Sequence, residues 1–392
     1  MMGYRLKRIF SGFRLLPVSV LALMTALFLG ACAPQDKPRE VTGHEIWAVD
    51  QGTNIVHIYD DDHEQADRID LGEHGIETPH MIDFSSDFRY AVIASTRSND
   101  VVILRTEDRE VLEVIETGPR THMASFTPDD SRIVVDVIGS PDEFRDGKLV
   151  EIEADLNEER FSKARSLVIA EDPLFQDNAE AFNDSGPICH EYGPGGTHAF
   201  ITLGPGLEDG GLVVLNTETW SLDHVAGPEE LPVNCGTIPN RDRTKMVLTA
   251  GSGEVGEWYV IDTRSFEVVA QGDSRGIDAH GVWLTPDGSE FWIVNRVSDD
   301  GIVLDAESFE VIDYYDELGG TPDIMAMSPD GEHVYVSLRG PNPRSAAHVA
   351  YGETPGFSVL RRADRSLKKV VQPDGDNPDS DFHAIGVRFL YQ

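Results

Sequence analysis

Three cysteines in 392 residues are too few for a disulfide framework. Positive charge is also scarce: 32 Lys and Arg stand against 69 Asp and Glu, a formal net charge of −37. That balance argues against nucleic acid as a partner, because phosphate contacts need a basic face. The chain contains no P-loop, no Gly-rich dinucleotide fingerprint, no Gly-x-Ser-x-Gly and no Cys-x-x-Cys-His. A phosphate cradle, a Rossmann site, a nucleophile elbow and covalent c-type haem are therefore not expected. The five tryptophans do not recur at a fixed spacing, and no stretch of the body carries a strong 3.6-residue period. Apolar residues are 40% of the chain, which is the composition of a globular body.

The one long apolar run lies at the N-terminus. Arg5, Lys7, Arg8 and Arg14 precede LLPVSVLALMTALFLGAC, which ends in small residues and Cys32. Leu29-Gly30-Ala31-Cys32 resembles the bacterial lipoprotein lipobox. The resemblance implies a signal peptide over 1–31, lipidation of Cys32, and an exported chain held to a membrane by its N-terminal lipid. Ala33 after the cysteine implies the periplasmic side of the outer membrane. Residues 32–43 then form the lipidated Cys and a polar linker, and 44–392 the folded domain.

From Ile46 onward, short β-type runs alternate with Gly, Asp, Asn and Pro: IWAVD, NIVHIYD, YAVIAST, DVVILRT and ten more. They repeat as a unit. FTPDDSRIVVDV, LTPDGSEFWIVNR and MSPDGEHVYVSLR each read as strand, tight turn, strand, the Pro presetting the turn and the Gly supplying positive φ. A period of roughly 40–50 residues is that of four-stranded propeller blades. Units begin near His80, His122, Ile188, Cys235, His280 and Asp323. A seventh joins FHAIGVRFL at the C-terminus to the strands over 46–72. The expectation is an all-β, seven-bladed propeller closed by N- and C-terminal strands in one blade. The chain resembles the YVTN-type propellers over about 44–391, a resemblance of architecture rather than of function.

Aligning the units on their turns puts a potential ligand at one position in six blades: His80, His122, Cys235, His280, Asp323 and His383. In the fourth the aligned residue is Ile188, with His190 two places on. Innermost strands line the channel, so equivalent positions converge on its axis. Clustered imidazoles cannot all be protonated, and a bound cation would hold them neutral. Imidazole suits copper, zinc, iron and nickel, and affinity peaks at copper. The pattern resembles the propeller of nitrous oxide reductase, which implies copper ligation by His80, His122, His190, His280 and His383, with Cys235 and Asp323 as departures. It is similar also to the d1-haem propellers, which implies non-covalent d1-type haem as an alternative. A solvent-filled channel, with the propeller acting as a protein-interaction or metallocentre-assembly scaffold, is the reading without chemistry.

Arg97, Arg296 and Arg339 end second strands at nearly equal offsets and are expected to bind a small polar or anionic substrate, or else to pair with Asp100, Asp299 and Asp300. The long irregular stretches 139–147, 171–187, 204–210 and 340–356 fall on the same face. There a small molecule or a partner protein would dock, and 340–356 would form a lid bringing His348 and Tyr351. Cys189 and Cys235 open adjacent blades, so they either form a disulfide or leave Cys235 as a ligand.

Overall fold

A computed structural model describes residues 40–141, 144–178, 185–205, 210–234, 236–251, 254–346, 349–373 and 377–392. The proposed signal peptide, Cys32 and most of the linker lie outside these residues, as do Cys235 and His348.

Seven four-stranded antiparallel sheets make up the described body. Blade 1 takes its innermost strand from the C-terminus, Phe382–Tyr391, and its other three from Val41–Asp50, Ile55–Tyr59 and Gln65–Asp70. The ring is closed by ordinary ladder bonds between the two chain ends, from Val41 opposite Tyr391 to Asp50 opposite Phe382. This arrangement leaves only short, protected sheet edges. The innermost strands of blades 2 to 7 are Pro79–Phe84, Thr121–Phe126, Gly186–Tyr192, Thr237–Pro239, Ala279–Leu284 and Pro322–Met327. These are the unit starts expected from the repeat.

The core lies between blades. Middle strands bury both faces, so they read as continuous apolar runs, whereas outermost strands such as Val111–Glu116 remain partly exposed. Trp47, Val49, Val56 and Ile58 of blade 1 pack on Ala91, Ile93, Val102 and Leu104 of blade 2. Arg109 caps this seam, its guanidinium 5.1 Å from the Trp47 ring.

The seam between blades 1 and 7 carries an acid-sensitive cluster. His44 Nε2 lies 2.8 Å from the Tyr335 hydroxyl, and the buried His63 ring packs edge-on against His333 and Tyr335. Burial first, then Lys369 and Lys368, push His63 down from 6.5 to about 4. Asp60, Asp61 and Asp330 face His44, while Asp330 and Glu332 face His333. Below pH 6.5 the unfolded chain takes a proton on His63 that the folded chain refuses until near pH 4, so stability is lost as pH falls through that window. Urea unfolding from pH 7 to 4.5 should show wild type losing roughly 1–3 kcal/mol relative to His63→Gln. Parallel stability curves for the two would refute the assignment.

Candidate metal centre on the channel axis

Each axial side chain sits at the same local irregularity. In blade 2, Pro79 pairs with Ser95 and Met81 with Ala94, which leaves His80 as the extra residue of a bulge. His122 is left out in the same way between Thr121 and Met123, and Ile188 between Pro187 and Cys189. The register also breaks across His280, Asp323 and His383. A bulge re-aims the side chain it carries, and here it turns successive residues to the axis. Two places earlier, Thr78, Arg120, Asp278 and Thr321 have φ of 58°, 55°, 67° and 54°. Left-handed backbone at non-glycine residues costs of order 1–3 kcal/mol and concentrates at functional sites.

These strained residues are tied to a second ring. The carbonyls of Thr78, Arg120, Asp278 and Thr321 accept hydrogen bonds from the amides of Thr96, Ile138, Arg296 and Arg339, and that of Asp381 from Gln51. Arg296 and Arg339 are thus equivalent in the fold, and their counterpart in blade 2 is Thr96. Arg97 stands one residue out of register. It is largely exposed and pairs with Glu77 at 3.1 Å.

The structure brings five of the expected residues together. His80 Nε2 is 3.0 Å from His122 Nε2. The His80 and His383 rings stack at 3.5 Å between centroids. His280 Nε2 is 2.9 Å from Asp323 Oδ1, and His383 Nε2 is 3.8 Å from Asp323 Oδ2. Donor atoms of His280, Asp323 and His383 lie within 4.8 Å of one another, a grouping that can hold a metal ion.

The hydrogen bonds settle three imidazole tautomers. His122 Nδ1 is 2.8 Å from the Ile188 carbonyl and His383 Nδ1 is 3.2 Å from the His80 carbonyl, so both nitrogens donate. His80 Nδ1 meets Gln51 Oε1 at 2.8 Å, and the Gln51 amide cannot be flipped because its Nε2 donates to Asp381 Oδ2 at 2.8 Å. Neutral His80, His122 and His383 therefore all carry the proton on Nδ1 and a lone pair on Nε2. Burial, then the neighbouring imidazoles, hold His80 well below the usual histidine range. Burial holds His122 at about 4, and it lowers His383 against the pull of Asp323.

Around the imidazoles runs an alternating chain of charge. Arg296 Nε donates to Asp278 at 2.7 Å and its Nη1 lies 3.5 Å from Asp323. Arg339 bridges Asp323 at 2.8 Å and Asp381 at 2.7 Å. Burial would raise the Asp323 pKa, but His383, His280 and the two guanidiniums together hold it well below the carboxylate range. Three carboxylates against two guanidiniums leave one net negative charge beside the imidazoles.

Several expectations are corrected. His190 is buried away from the cluster, with Nδ1 2.7 Å from Asp136 and Nε2 2.7 Å from Ser125 Oγ. Burial works against its charged form, but Asp136 overcomes it and the pKa is raised. His190 follows the bulge at Ile188 instead of occupying it, so it faces the adjoining blade. The order Ser125–His190–Asp136 is that of a nucleophile–base relay, yet Ser125 is only 5% exposed and the group is sealed. Arg339 is fully buried and holds carboxylates and Ser345, so it is not an arm that reaches substrate. Arg296 and Arg339 pair with Asp278, Asp323 and Asp381, not with Asp100, Asp299 or Asp300. Tyr351 is 59% exposed and is not among the residues that border the axial cavity. Cys189 is buried, and its pairing with Cys235 falls outside the described residues. Sequence reasoning missed Gln51, Asp278 and Asp381. The last two were signalled by Asp-x-His at 278–280 and 381–383.

Two cavities meet at this layer. One of about 320 Å³ is bordered by the starts of innermost strands, including His80, His122, His280 and His383, and by Pro205 and Arg344–Ala346 from the long loops. The other, about 510 Å³, is bordered by later residues of the same strands, largely apolar, among them Met81, Trp283 and Ile385. Cys189 borders both.

No family model and no curated protein matches the chain. Solved structures share its fold. The periplasmic gluconolactonase PpgL of Pseudomonas aeruginosa is 13% identical, with TM-score 0.63, covering 88% of this chain and 99% of its own. Hydrazine synthase of Kuenenia stuttgartiensis is 13% identical, with TM-score 0.62, covering 79% and 90%. The Cps50 (Swd1) propeller domain of Myceliophteria thermophila is 9% identical, with TM-score 0.56, covering 73% and 88%. At such identities the likeness is one of fold, and the fold carries many functions.

Proposed function

We propose that this chain is an exported, lipid-anchored β-propeller metalloprotein. Its axial histidines hold one transition-metal ion, copper in the first place, for redox chemistry on a small polar ligand entering through the 320 Å³ vestibule. The ligands whose donor atoms lie within 4.8 Å of one another are His280, Asp323 and His383, and His80 and His122 adjoin them through the His80–His383 stack and the 3.0 Å Nε2 pair. The observation that carries this reading is the pair of Nε2 lone pairs of His80 and His122, facing each other at 3.0 Å while both Nδ1 protons are committed to oxygen. Two lone pairs at that distance repel unless a cation lies between them. A shared proton would serve only two nitrogens and is opposed by burial. A metal ion also takes His383 and the residual negative charge of the site. Nitrogens about 2.0–2.1 Å from one ion lie roughly 3 Å apart when they are adjacent ligands. Oxygen acceptors on Nδ1 are the usual outer partners of metal-bound imidazole. The stacked His80–His383 pair and the small vestibule favour an ion over a tetrapyrrole.

The test is to strip the full chain with a chelator and titrate it with Cu(II), then separately with Zn(II), following bound metal by elemental analysis. One equivalent of copper bound more tightly than zinc is expected. Substoichiometric retention of both ions would refute the site.

A further inference from the structure

We infer that the vestibule is a subsite for a small oxyanion, a carboxylate or an inorganic oxoanion, held by guanidinium groups beside the imidazole cluster. This extends the small-ligand part of the proposed function and rests on it for what the anion meets there. The binding itself needs no metal.

In a chain where acids outnumber bases 69 to 32, the vestibule inverts the balance. Arg97, Arg120, Arg296 and Arg344 border it, and no Asp or Glu does among the described residues. The four arginines come from blades 2, 3, 6 and 7, so they converge from different sides of the ring.

They are held in two ways. Arg296 is fixed by Asp278 and Asp323, and Arg120 donates from Nε and Nη2 to the Gly139 and Ser140 carbonyls. These two are held in place at the border of the vestibule. Arg97 and Arg344 are more mobile partners. Arg97 meets Glu77 at 3.1 Å and Arg344 meets Asp379 at 3.5 Å, with Glu77 and Asp379 60% and 68% exposed. Exposed pairs of this kind are worth little, so either guanidinium can turn to a ligand at small cost. The main chain of Arg344 is anchored meanwhile, its amide donating to Asp381 Oδ2 at 2.6 Å. Guanidinium forks match the geometry of planar and tetrahedral oxyanions, and about 320 Å³ is at the low end for ligand pockets. The occupant is therefore small. The acidic surface elsewhere repels large anions.

The experiment is calorimetric titration of the metal-free full chain with oxalate, with inorganic phosphate, and with oxamide as a neutral isostere of oxalate. Oxalate or phosphate should bind, more weakly as salt is raised, and oxamide should not. Arg344→Gln and Arg120→Gln should each weaken binding at least about tenfold. Arg344 is a rim residue whose loss leaves the fold intact, so its variant stays informative even if Arg120→Gln unfolds. The inference is overturned if neither anion binds metal-free protein below about 10 mM, or if folded Arg344→Gln binds like wild type. Anion binding that appears only after copper loading and ignores the arginines would sink this inference and leave the metal reading standing. Arginine-dependent anion binding in a protein that takes up no copper would do the reverse.

Discussion

Alanine at both His122 and His383 is expected to abolish stoichiometric copper uptake while the metal-free variant still unfolds in one cooperative transition. The two residues supply Nε2 lone pairs from blades 3 and 1, so no neighbouring residue on the same strand can replace either. Their rings do little for the fold: the sheets are held by backbone ladders and by apolar seams between blades, not by the axis. In the metal-free chain the 3.0 Å approach of His80 Nε2 to His122 Nε2 is repulsive, and truncating one side relieves it. A gentler variant probes the tautomer argument directly. Gln51→Leu keeps every ligand but removes the acceptor for the His80 Nδ1 proton, and should weaken metal binding about 10–100-fold. Competition against a chelator of known affinity measures both effects. Wild-type affinity in the double alanine variant would remove these histidines from the site.

Arg339→Met should be the most destabilising single change at the axis. The side chain is wholly buried, fills its space, and bridges Asp323 and Asp381 while donating to Ser345. Methionine replaces much of the volume but leaves two buried carboxylates facing one fewer cation. Breaking a buried charge pair from one side costs about 3–5 kcal/mol, which lowers Tm by roughly 4–7 °C in a chain of this size. Arg97→Gln is the control. Its pair with Glu77 is exposed, and its loss should stay within about 0.5 kcal/mol. Thermal unfolding followed by circular dichroism reads both. Equal Tm values for the two variants would mean that the charge chain Asp278–Arg296–Asp323–Arg339–Asp381 does not hold the axis together.

These three arginines show where sequence reasoning stops. Arg97, Arg296 and Arg339 look alike along the chain, each at the end of a second strand. One residue of offset separates an exposed side chain from a buried one, because the backbone hydrogen bond that sets the register falls on Thr96 in blade 2 and on the arginine itself in blades 6 and 7. His190 fails for a related reason. Two places past Ile188 it lies on the same side of an ideal strand, but the bulge at Ile188 breaks that alternation and delivers His190 to Asp136 and Ser125. Gln51 could not be read as a site residue because its role depends on the His80 ring lying beside it, and these belong to different blades.

What the sequence determined by itself was the architecture and the convergence. Repeated turns six residues after His122, His280 and Asp323 specify blades whose equivalent positions must meet at an axis, and the matching ends specify how the ring closes. Those are properties of spacing, and spacing is written in the chain. Which imidazole nitrogen holds a proton, which arginine is buried, and which histidine reaches the axis were decided only by the tertiary structure. They depend on bulges, and on hydrogen bonds and desolvation supplied by neighbouring blades, and such short-range interactions exist only after distant segments have packed.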